Sequence, residues 1–127
     1  MTAHAMNHFT ILAEDLAQTC AFYRDLLGLT EGYRPDMGFP GAWLYAGDQA
    51  VLHVVIRKPL PQPRAGVLDH MAFSAAGLVD TVKKLEQRGV KYSLGRQVET
   101  GVWQLFFHDP NGARVELDFA ATEDGPA

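Results

Sequence analysis

The chain has 127 residues, of which 47% are hydrophobic and 20% charged, as in one ordinary globular domain. Its formal net charge of −4 argues against nucleic acid or an anionic membrane as a partner, and its single cysteine excludes an internal disulfide framework. No apolar run approaches the ~18 residues of a spanning helix and no signal peptide is recognisable, so we expect a cytoplasmic protein that binds neither nucleic acid nor membrane.

The first half of the chain predicts a strand and a helix, followed by further strands. Residues 7–12 alternate between polar and apolar side chains, which is typical of a half-buried strand. Residues 15–18 resemble a capping box, and apolar residues at helical spacing predict a helix from there that ends at Gly28. Strands are predicted at residues 44–45 and 50–56, where alternation resumes.

The densest group of prolines lies near the middle of the chain. Pro59, Pro61 and Pro63 exclude a central strand or a helix interior, so the sequence predicts a Pro-rich linker over residues 59–66. The linker divides a single domain, residues 1–127, into two modules and a short end. Module one covers about residues 6–58, module two covers about residues 67–120, and residues 121–127 are predicted to fray.

The second half repeats the order of the first. A strand at residues 68–74 precedes a helix with one apolar face that closes at Gly89. Strands at residues 103–107 and 113–119 flank Asp-Pro-Asn-Gly at residues 109–112, a strong hairpin signal because proline fixes φ and Asn-Gly accepts positive φ. Each half therefore predicts a βαβββ module, and the predicted fold class is α+β.

A weak internal repeat supports this organisation. Few residues are identical, but the order of the elements and the positions of two histidines coincide. The matches pair residues 7–16 with 69–78, residues 41–43 with 101–103, and residues 50–53 with 113–116.

Strand alternation places potential metal ligands on matching faces of the repeated unit. One face of each sheet must pack on its helix, and the apolar alternate residues mark that face. The residues that then point away from the helices, toward one concave surface, are His8, Thr10, His53, His70 and Glu116. Three imidazoles and a carboxylate without a thiolate suit a divalent ion such as Fe(II), Mn(II), Co(II), Ni(II) or Zn(II).

Several segments resemble, in order, the vicinal oxygen chelate superfamily, which includes glyoxalase I, extradiol dioxygenases, fosfomycin-resistance transferases, methylmalonyl-CoA epimerase and bleomycin-binding proteins. Residues 8–16 and 22–28 resemble its opening strand and helix, and residues 68–73 resemble its fifth strand. Residues 108–117, with Asp-Pro-Asn-Gly followed by Glu-Leu, resemble its closing hairpin. The resemblance covers nearly the whole chain.

The resemblance implies two βαβββ modules whose mixed sheets curl into a metal-binding cleft. It implies metal ligands at His8, His70 and Glu116, and it places His53 where glyoxalase I has a fourth, glutamate or glutamine ligand. Single-domain members usually pair, so the resemblance also implies a homodimer with sites shared between chains. Their common chemistry is the binding of two adjacent oxygens of a small-molecule substrate by the metal.

Two reactions of this superfamily compete for the chain. In a glyoxalase I-like lyase or isomerase, a carboxylate such as Glu116 shuttles a proton between adjacent carbons. Here Leu12 replaces the arginine that usually grips glutathione, and His53 replaces the fourth-strand carboxylate. In an extradiol ring-cleavage dioxygenase, His8, His70 and Glu116 would hold Fe(II), with His53 as the acid–base group beside it.

The replacements at positions 12 and 53 favour the dioxygenase, with Fe(II) as its metal. The glyoxalase I-like lyase is the alternative, and a thiol transferase or a non-enzymatic antibiotic-binding protein of the same fold is a second alternative. Bleomycin-binding members generally lack the metal ligands, whereas all four positions are kept here. The predicted catalytic residues are Glu116 and His53, and the predicted substrate-binding residues are Thr10, Gln104 and Phe106.

Overall fold

A computed structural model describes residues 1–127, which divide into two compact units. Unit 1 is Met1–Gln62 and unit 2 is Pro63–Ala127, so the boundary falls inside the predicted Pro-rich linker, residues 59–66. Each unit contains one helix and four strands in the order βαβββ, which confirms the predicted α+β class and its repeated module. Neither helix has the length and apolar character that crossing a membrane requires.

The two units contain the same elements in the same order. Unit 1 contains β1 (Phe9–Ala13), α1 (Leu16–Leu27), β2 (Thr30–Glu31), β3 (Gly41–Ala46) and β4 (Gln49–Ile56). Unit 2 contains β5 (Met71–Ala75), α2 (Leu78–Gln87), β6 (Tyr92–Arg96), β7 (Trp103–His108) and β8 (Arg114–Phe119). The sequence did not locate β2 and β6, because both are short or largely exposed and lack a clear alternation.

Each unit forms a mixed four-stranded sheet in which the first strand pairs in parallel with the last. The strand orders are β1-β4-β3-β2 and β5-β8-β7-β6. The helix supplies the crossover that a parallel neighbour needs, and the other pairs are antiparallel. Alternate residues of the last strands are buried, as predicted: Leu52 and Val54 in β4, and Val115, Leu117 and Phe119 in β8.

Strand register defines equivalent positions in the two units. His53 lies opposite Trp43 on the neighbouring antiparallel strand, and Glu116 lies opposite Phe106 in the same way. His53 and Glu116 are thus equivalent, as the sequence match of residues 50–53 with 113–116 predicts. The match of residues 41–43 with 101–103 is wrong, because Phe106, and not the later unit's tryptophan, is the counterpart of Trp43.

The two helices begin with different caps. The Asp15 carboxylate accepts a hydrogen bond of 2.9 Å from the Gln18 backbone N–H, which confirms the predicted cap of α1. The α2 helix begins after Gly77, which has no side chain to cap it. Instead, the Glu123 carboxylate accepts from the backbone N–H groups of Gly77 and Leu78 at 3.0 and 2.9 Å.

The predicted fraying of residues 121–127 does not extend to Glu123 and Gly125, which lie against other residues of unit 2. Besides capping α2, Glu123 accepts a hydrogen bond of 2.9 Å at its backbone carbonyl from the Trp103 indole N–H. Gly125 approaches the same indole so closely that a Cβ there would lie 2.7 Å from the ring. The polar sequence of this segment gives no sign of these contacts, because they are made to residues far away in the chain.

The closing hairpin forms as its sequence predicts. The buried Asp109 carboxylate accepts from the backbone N–H groups of Asn111 and Ala113 at 2.8 and 2.9 Å. Gly112 adopts a φ of 96°, which a residue with a side chain disfavours. This turn fixes the start of β8 and with it the placement of Glu116.

Candidate functional site

In unit 2, a histidine and a glutamate are in direct contact. His70 directly precedes β5, and Glu116 lies in the adjacent parallel strand β8. His70 Nε2 lies 2.9 Å from Glu116 Oε1. Two donor atoms that are each about 2.1 Å from an octahedral metal ion are about 3 Å apart, so this pair fits two adjacent positions of such an ion.

A carboxylate orients the His70 ring from its other side. His70 Nδ1 lies 2.7 Å from Asp69 Oδ2, and Arg114 Nη1 donates to the same oxygen at 2.7 Å. Because an ionised carboxylate can only accept, Nδ1 donates to Asp69, and Nε2 is directed at Glu116. Hydrogen bonds from His70 and Arg114 hold the pKa of Asp69 below its usual range, so it stays ionised. Metal-binding histidines commonly have such a carboxylate on the second ring nitrogen.

Glu116 is buried among polar groups, which is unusual for a strand glutamate. It is 7% exposed, and Gln104 Nε2 donates to its Oε2 at 3.4 Å. A hydrogen bond from Asp118 lowers the pKa of Glu116, and hydrogen bonds to Gln104 and His70 lower it further against the effect of burial. Burial and the neighbouring Glu116 raise the pKa of Asp118 to about 6. Of these two carboxyl groups, Glu116 is therefore the one that ionises first as the pH rises.

Phe106 forms an aromatic wall beside this pair. Its ring meets the His70 ring edge to face, with centroids 5.5 Å apart. The Arg114 guanidinium lies over the same ring, with Cζ 4.4 Å from the centroid. Of the predicted substrate-binding residues, Phe106 and Gln104 thus both border the His70–Glu116 pair.

In unit 1, the equivalent histidine is oriented in the same way but has a different neighbour. His8 Nδ1 lies 2.6 Å from Asn7 Oδ1, so the residue before the histidine again holds this nitrogen. The His8 ring stacks on His53 with centroids 3.6 Å apart and 10° between the planes. Trp43 stacks on the other face of the His53 ring, with centroids 4.1 Å apart and 14° between the planes. His53 thus contacts two aromatic rings.

The stacking bears on whether His53 and His8 could bind one ion together. An imidazole binds a metal through a lone pair in the plane of its ring. Face-to-face rings direct these lone pairs in parallel planes and not toward one point. Burial lowers the pKa of His53, and the neighbouring His8 and Arg34 lower it further. The lowered pKa favours a neutral His53 imidazole. The stacking favours a His53 that lies beside His8 and is not a ligand of the same ion.

Unit 1 also contains a cavity of about 340 Å³ next to these rings. Residues that line it include His8, Thr10, Arg34, Phe39, Trp43 and His53. Thr10 lies opposite His53 in the parallel register of β1 and β4, so this predicted substrate-binding residue faces the same cavity.

The structure brings the four predicted metal ligands together as two pairs, one in each unit. His8 contacts His53, and His70 contacts Glu116. Across residues 1–127, no group of three or more histidine, cysteine, aspartate or glutamate side chains is placed to hold a metal ion. The four-residue metal site therefore stays a prediction.

Sequence reasoning missed several residues that the structure places at these pairs. Asn7 and Asp69 each precede one of the matched histidines, so the repeat itself contained a signal for them. Asp118 lies two residues after Glu116 on the same strand face, which alternation could have revealed. Arg34 lies in a loop between β2 and β3, where no pattern predicts the direction of a side chain.

Comparison with known proteins identifies the family. The sequence model of the Glyoxalase/Bleomycin resistance protein/Dioxygenase superfamily matches residues 5–117. The chain belongs to this superfamily. The resemblance predicted from the strand and hairpin motifs is thereby confirmed, and members of the superfamily act on small molecules and commonly form dimers.

Curated relatives of this superfamily member include two named as enzymes. Glyoxylase I 4 of Arabidopsis thaliana is 29% identical over 120 residues, which cover 89% of this chain and 69% of the relative. Glutathione transferase FosA of Serratia marcescens is 32% identical over 117 residues, which cover 89% of this chain and 79% of FosA. YaeR of Escherichia coli K12 is 34% identical over 121 residues, which cover 88% and 93%.

Solved structures share the superfamily fold. A variant of the fosfomycin resistance protein FosX from Listeria monocytogenes, crystallised with Mn(II) and 1S,2S-dihydroxypropylphosphonic acid, has a TM-score of 0.75 at 16% identity. The match covers 94% of each chain. A glyoxylase/bleomycin resistance protein/dioxygenase domain from Frankia sp. EAN1pec has a TM-score of 0.74 at 19% identity, covering 94% of this chain and 99% of that one.

Proposed function

We propose that this protein is a divalent-metal-dependent enzyme that binds a small substrate through two adjacent oxygen atoms. The observation that carries the proposal is the contact between His70 Nε2 and Glu116 Oε1 at 2.9 Å, with the second nitrogen of His70 tied to Asp69. This arrangement combines two metal-binding donors at a suitable separation with the carboxylate that commonly orients a ligand histidine. When bound, the metal would supply Lewis-acid stabilisation of negative charge on the substrate oxygens.

His8 is the proposed third ligand. Its Nδ1 is held by Asn7, as Nδ1 of His70 is held by Asp69, so both rings keep Nε2 for another partner. The proposed ligands come from both units, and the family habit of pairing suggests that two copies of the chain share each site. The proposed assembly is therefore a homodimer.

His53 is proposed as an acid–base residue and not as a ligand. Its stacking between His8 and Trp43 fixes the ring, and its lowered pKa keeps the imidazole neutral and able to accept a proton. The replacement His53→Phe separates the two roles, because phenylalanine keeps the stacking but removes both nitrogens. We expect this variant to retain its metal stoichiometry and to lose turnover.

The first candidate reaction is proton transfer between adjacent carbons, as in a glyoxalase I-like lyase or isomerase. A relative named glyoxylase I supports it, and so does Glu116, a buried carboxylate that hydrogen bonds keep ionised. In this reaction the carboxylate and the neutral His53 would exchange the substrate proton. The arginine expected to grip glutathione is absent at Leu12, so we propose a substrate other than a glutathione adduct.

The second candidate is the extradiol ring cleavage that the sequence favours. One observation supports it: a neutral imidazole, His53, lies directly beside a proposed ligand, His8, where an acid–base group for a catechol would be needed. Neither curated relative named as an enzyme is a dioxygenase, which makes this the weaker candidate. Thiol transfer, which the name of FosA suggests, is tested by the same assays.

Metal binding is tested before the reaction. The metal-free chain is loaded separately with Fe(II), Mn(II), Ni(II), Co(II) and Zn(II), and the bound metal is measured after removal of excess ion. We expect stoichiometric uptake of at least one ion in the wild type and its loss in His70→Ala and Glu116→Ala. His108→Ala is the matched control, because His108 is exposed at the end of β7. Uptake of no ion by the folded wild type would reject the proposal.

The reactions are then separated by what they consume. Oxygen uptake with catechols under anaerobically loaded Fe(II) identifies ring cleavage. Turnover of hemithioacetals without oxygen uptake identifies the glyoxalase-type reaction, and thiol-dependent loss of an epoxide identifies thiol transfer. Oxygen uptake that is abolished in His53→Phe would replace the first candidate by the second.

A further inference from the structure

The cavity of unit 1 has one feature that the proposed metal chemistry does not use. Its lining includes no aspartate or glutamate, and Arg34 is its only lysine or arginine. The apolar part of the lining comes from side chains such as Met37, Phe39 and Trp43. Arg34 is therefore a cation in a largely apolar cavity, within a chain whose net charge is −4.

One edge of the Arg34 guanidinium has no partner. Its Nε and Nη2 atoms are buried and make no hydrogen bond. These two N–H groups lie side by side along one edge of the planar group, which is the fork that binds a carboxylate through two parallel hydrogen bonds. Buried donors on a cation that lack an acceptor are unfavourable, so such a fork indicates a missing anionic partner.

The surrounding residues hold the guanidinium in place. Its Cζ lies over the Phe39 ring, 5.1 Å from the centroid. Gly41 leaves the space that the group occupies, since a Cβ at this position would lie 2.9 Å from Arg34 Nη2. The guanidinium is thus held by packing, and a carboxylate reaches Nε and Nη2 when the groups that cover them move aside.

We propose that the Nε–Nη2 edge of Arg34 binds a carboxylate of the substrate, while a flat apolar part of the same molecule packs on Trp43 and Phe39. The substrate class is then a small, planar or aromatic carboxylate. That the bound molecule is the substrate rests on the proposed function, because His8 and Thr10 of the candidate site line the same cavity. As a statement about binding, it concerns unit 1 alone and can be tested without metal.

The test titrates the metal-free full chain with three probes of similar size and follows Trp43 fluorescence and the unfolding midpoint. Benzoate carries a planar carboxylate, benzamide is its neutral counterpart, and phenylphosphonate carries a tetrahedral oxyanion. We expect saturable binding of benzoate and none of benzamide. Arg34→Met should weaken benzoate binding about tenfold or more, since charged hydrogen bonds are lost. Arg57→Met is the matched control, because Arg57 is an exposed arginine of the same unit.

Folding of the variants is controlled by two further results. Without ligand, the unfolding midpoint of Arg34→Met should not fall below that of the wild type, because the substitution removes a half-buried cation whose Nε and Nη2 lack acceptors. Arg34→Lys keeps the charge but loses the fork, and it should also bind benzoate more weakly than the wild type. Equal binding of benzoate by wild type and Arg34→Met would overturn the inference. Tighter binding of phenylphosphonate than of benzoate would overturn the carboxylate assignment.

The outcomes also separate this inference from the proposed function. Metal uptake with no benzoate binding would leave the metal proposal standing and reject the role of Arg34. Benzoate binding with no metal uptake would confirm an anion-binding cavity and reject the metalloenzyme.

Discussion

The two units place different chemistry at equivalent positions of the same backbone. Next to the oriented histidine that precedes its first strand, unit 1 has His53 and unit 2 has Glu116. In unit 1 the result is a stack of rings, with His8 and His53 3.6 Å apart. In unit 2 it is an imidazole–carboxylate contact of 2.9 Å. One strand position therefore decides whether a module presents an imidazole–carboxylate pair or an aromatic stack.

The two units also differ in the charged groups that lie near these residues. His70 contacts the carboxyl groups of Asp69 and Glu116, and Asp118 forms a hydrogen bond with Glu116. The cavity of unit 1 contains no carboxylate and one cation, Arg34. Unit 2 is thus suited to attract a divalent cation, and unit 1 is suited to attract an anionic substrate.

The largest effect is expected when the contribution of either unit is removed. His8→Ala and His70→Ala should each lose stoichiometric metal. If two copies share each site, mixed dimers of the two variants contain one site with both histidines intact. With random pairing, about a quarter of all sites are then restored. Metal content per chain after co-refolding measures this recovery, and each variant refolded alone is the control.

A mixture of dimers that regains no metal would show that both histidines of a site come from one chain. Recovery to the level expected for random pairing would establish the shared site. Either result fixes which copies of units 1 and 2 form the metal centre.

A second large effect concerns the buried faces of the two helices. Cys20 is the fifth residue of α1, where α2 has Val82, and both are buried. Burial raises the pKa of the Cys20 thiol to about 12, and Glu31 adds to the shift. Since the ordinary value is 9.0, the thiolate fraction near pH 8 should fall roughly a thousandfold. Reaction of the native chain with an aromatic disulfide reagent should be slower than that of the unfolded chain by about this factor.

The same pKa determines how the free energy of unfolding changes with pH. The thiol ionises more readily in the unfolded chain, so stability contributed by neutral Cys20 is present below about pH 9 and is lost as the pH rises toward 12. Cys20→Val imitates α2 and should remove this alkaline loss. Equal reaction rates of the native and unfolded chains would contradict a buried, neutral thiol.

The residues that orient His8 and His70 should contribute unequally to metal affinity. Asp69 is an ionised carboxylate that Arg114 also binds, whereas Asn7 is a neutral amide. Loss of a partner that orients a ligand histidine typically weakens metal binding about 10- to 100-fold. We expect Asp69→Ala to show such a loss and Asn7→Ala a smaller one, measured as metal affinity by competition with a chelator. Asp69→Asn, which copies the pattern of unit 1, should fall between them. A larger loss in Asn7→Ala would reverse the assignment of metal binding to unit 2.

The sequence predicted most of the fold because the signals for it are local. Period-two alternation, the Asp15 cap and the hairpin at residues 109–112 each depend on neighbours in the chain, and each is confirmed. The site was predictable only in part. His70 and Glu116 were expected to point toward one concave surface, and the structure places them in contact.

What the sequence could not predict depends on contacts between distant residues. The direction of Arg34, in a loop without periodicity, is set by packing on Phe39 and Gly41. The stacking of His53 on Trp43 depends on the register of β3 and β4, which the sequence did not predict. The capping of α2 by Glu123 joins positions 46 residues apart.

The smallest expected effect distinguishes the local cap of unit 1 from the distant cap of unit 2. Asp15→Ala removes a cap within α1, and Glu123→Ala removes the carboxylate that binds the first N–H groups of α2. Each should lower the free energy of unfolding by about 1 kcal/mol. Glu123→Gln should cost about half as much, because it keeps an acceptor and loses only the charge. In a Trp43→Phe background, the fluorescence of Trp103 during urea unfolding reports unit 2.

A matched control for the distant cap is Asp124→Asn, since Asp124 is the exposed neighbour of Glu123. This variant should leave the urea midpoint unchanged. If Glu123→Ala also left it unchanged, the tail would not stabilise α2, and the contacts of Glu123 with Gly77 and Leu78 would carry no net free energy. A loss in Glu123→Ala that matched the loss in Asp15→Ala would instead show that the two units solve the same problem at helix N-termini with equal effect. The cap of unit 2 differs only in that it depends on the C-terminal segment.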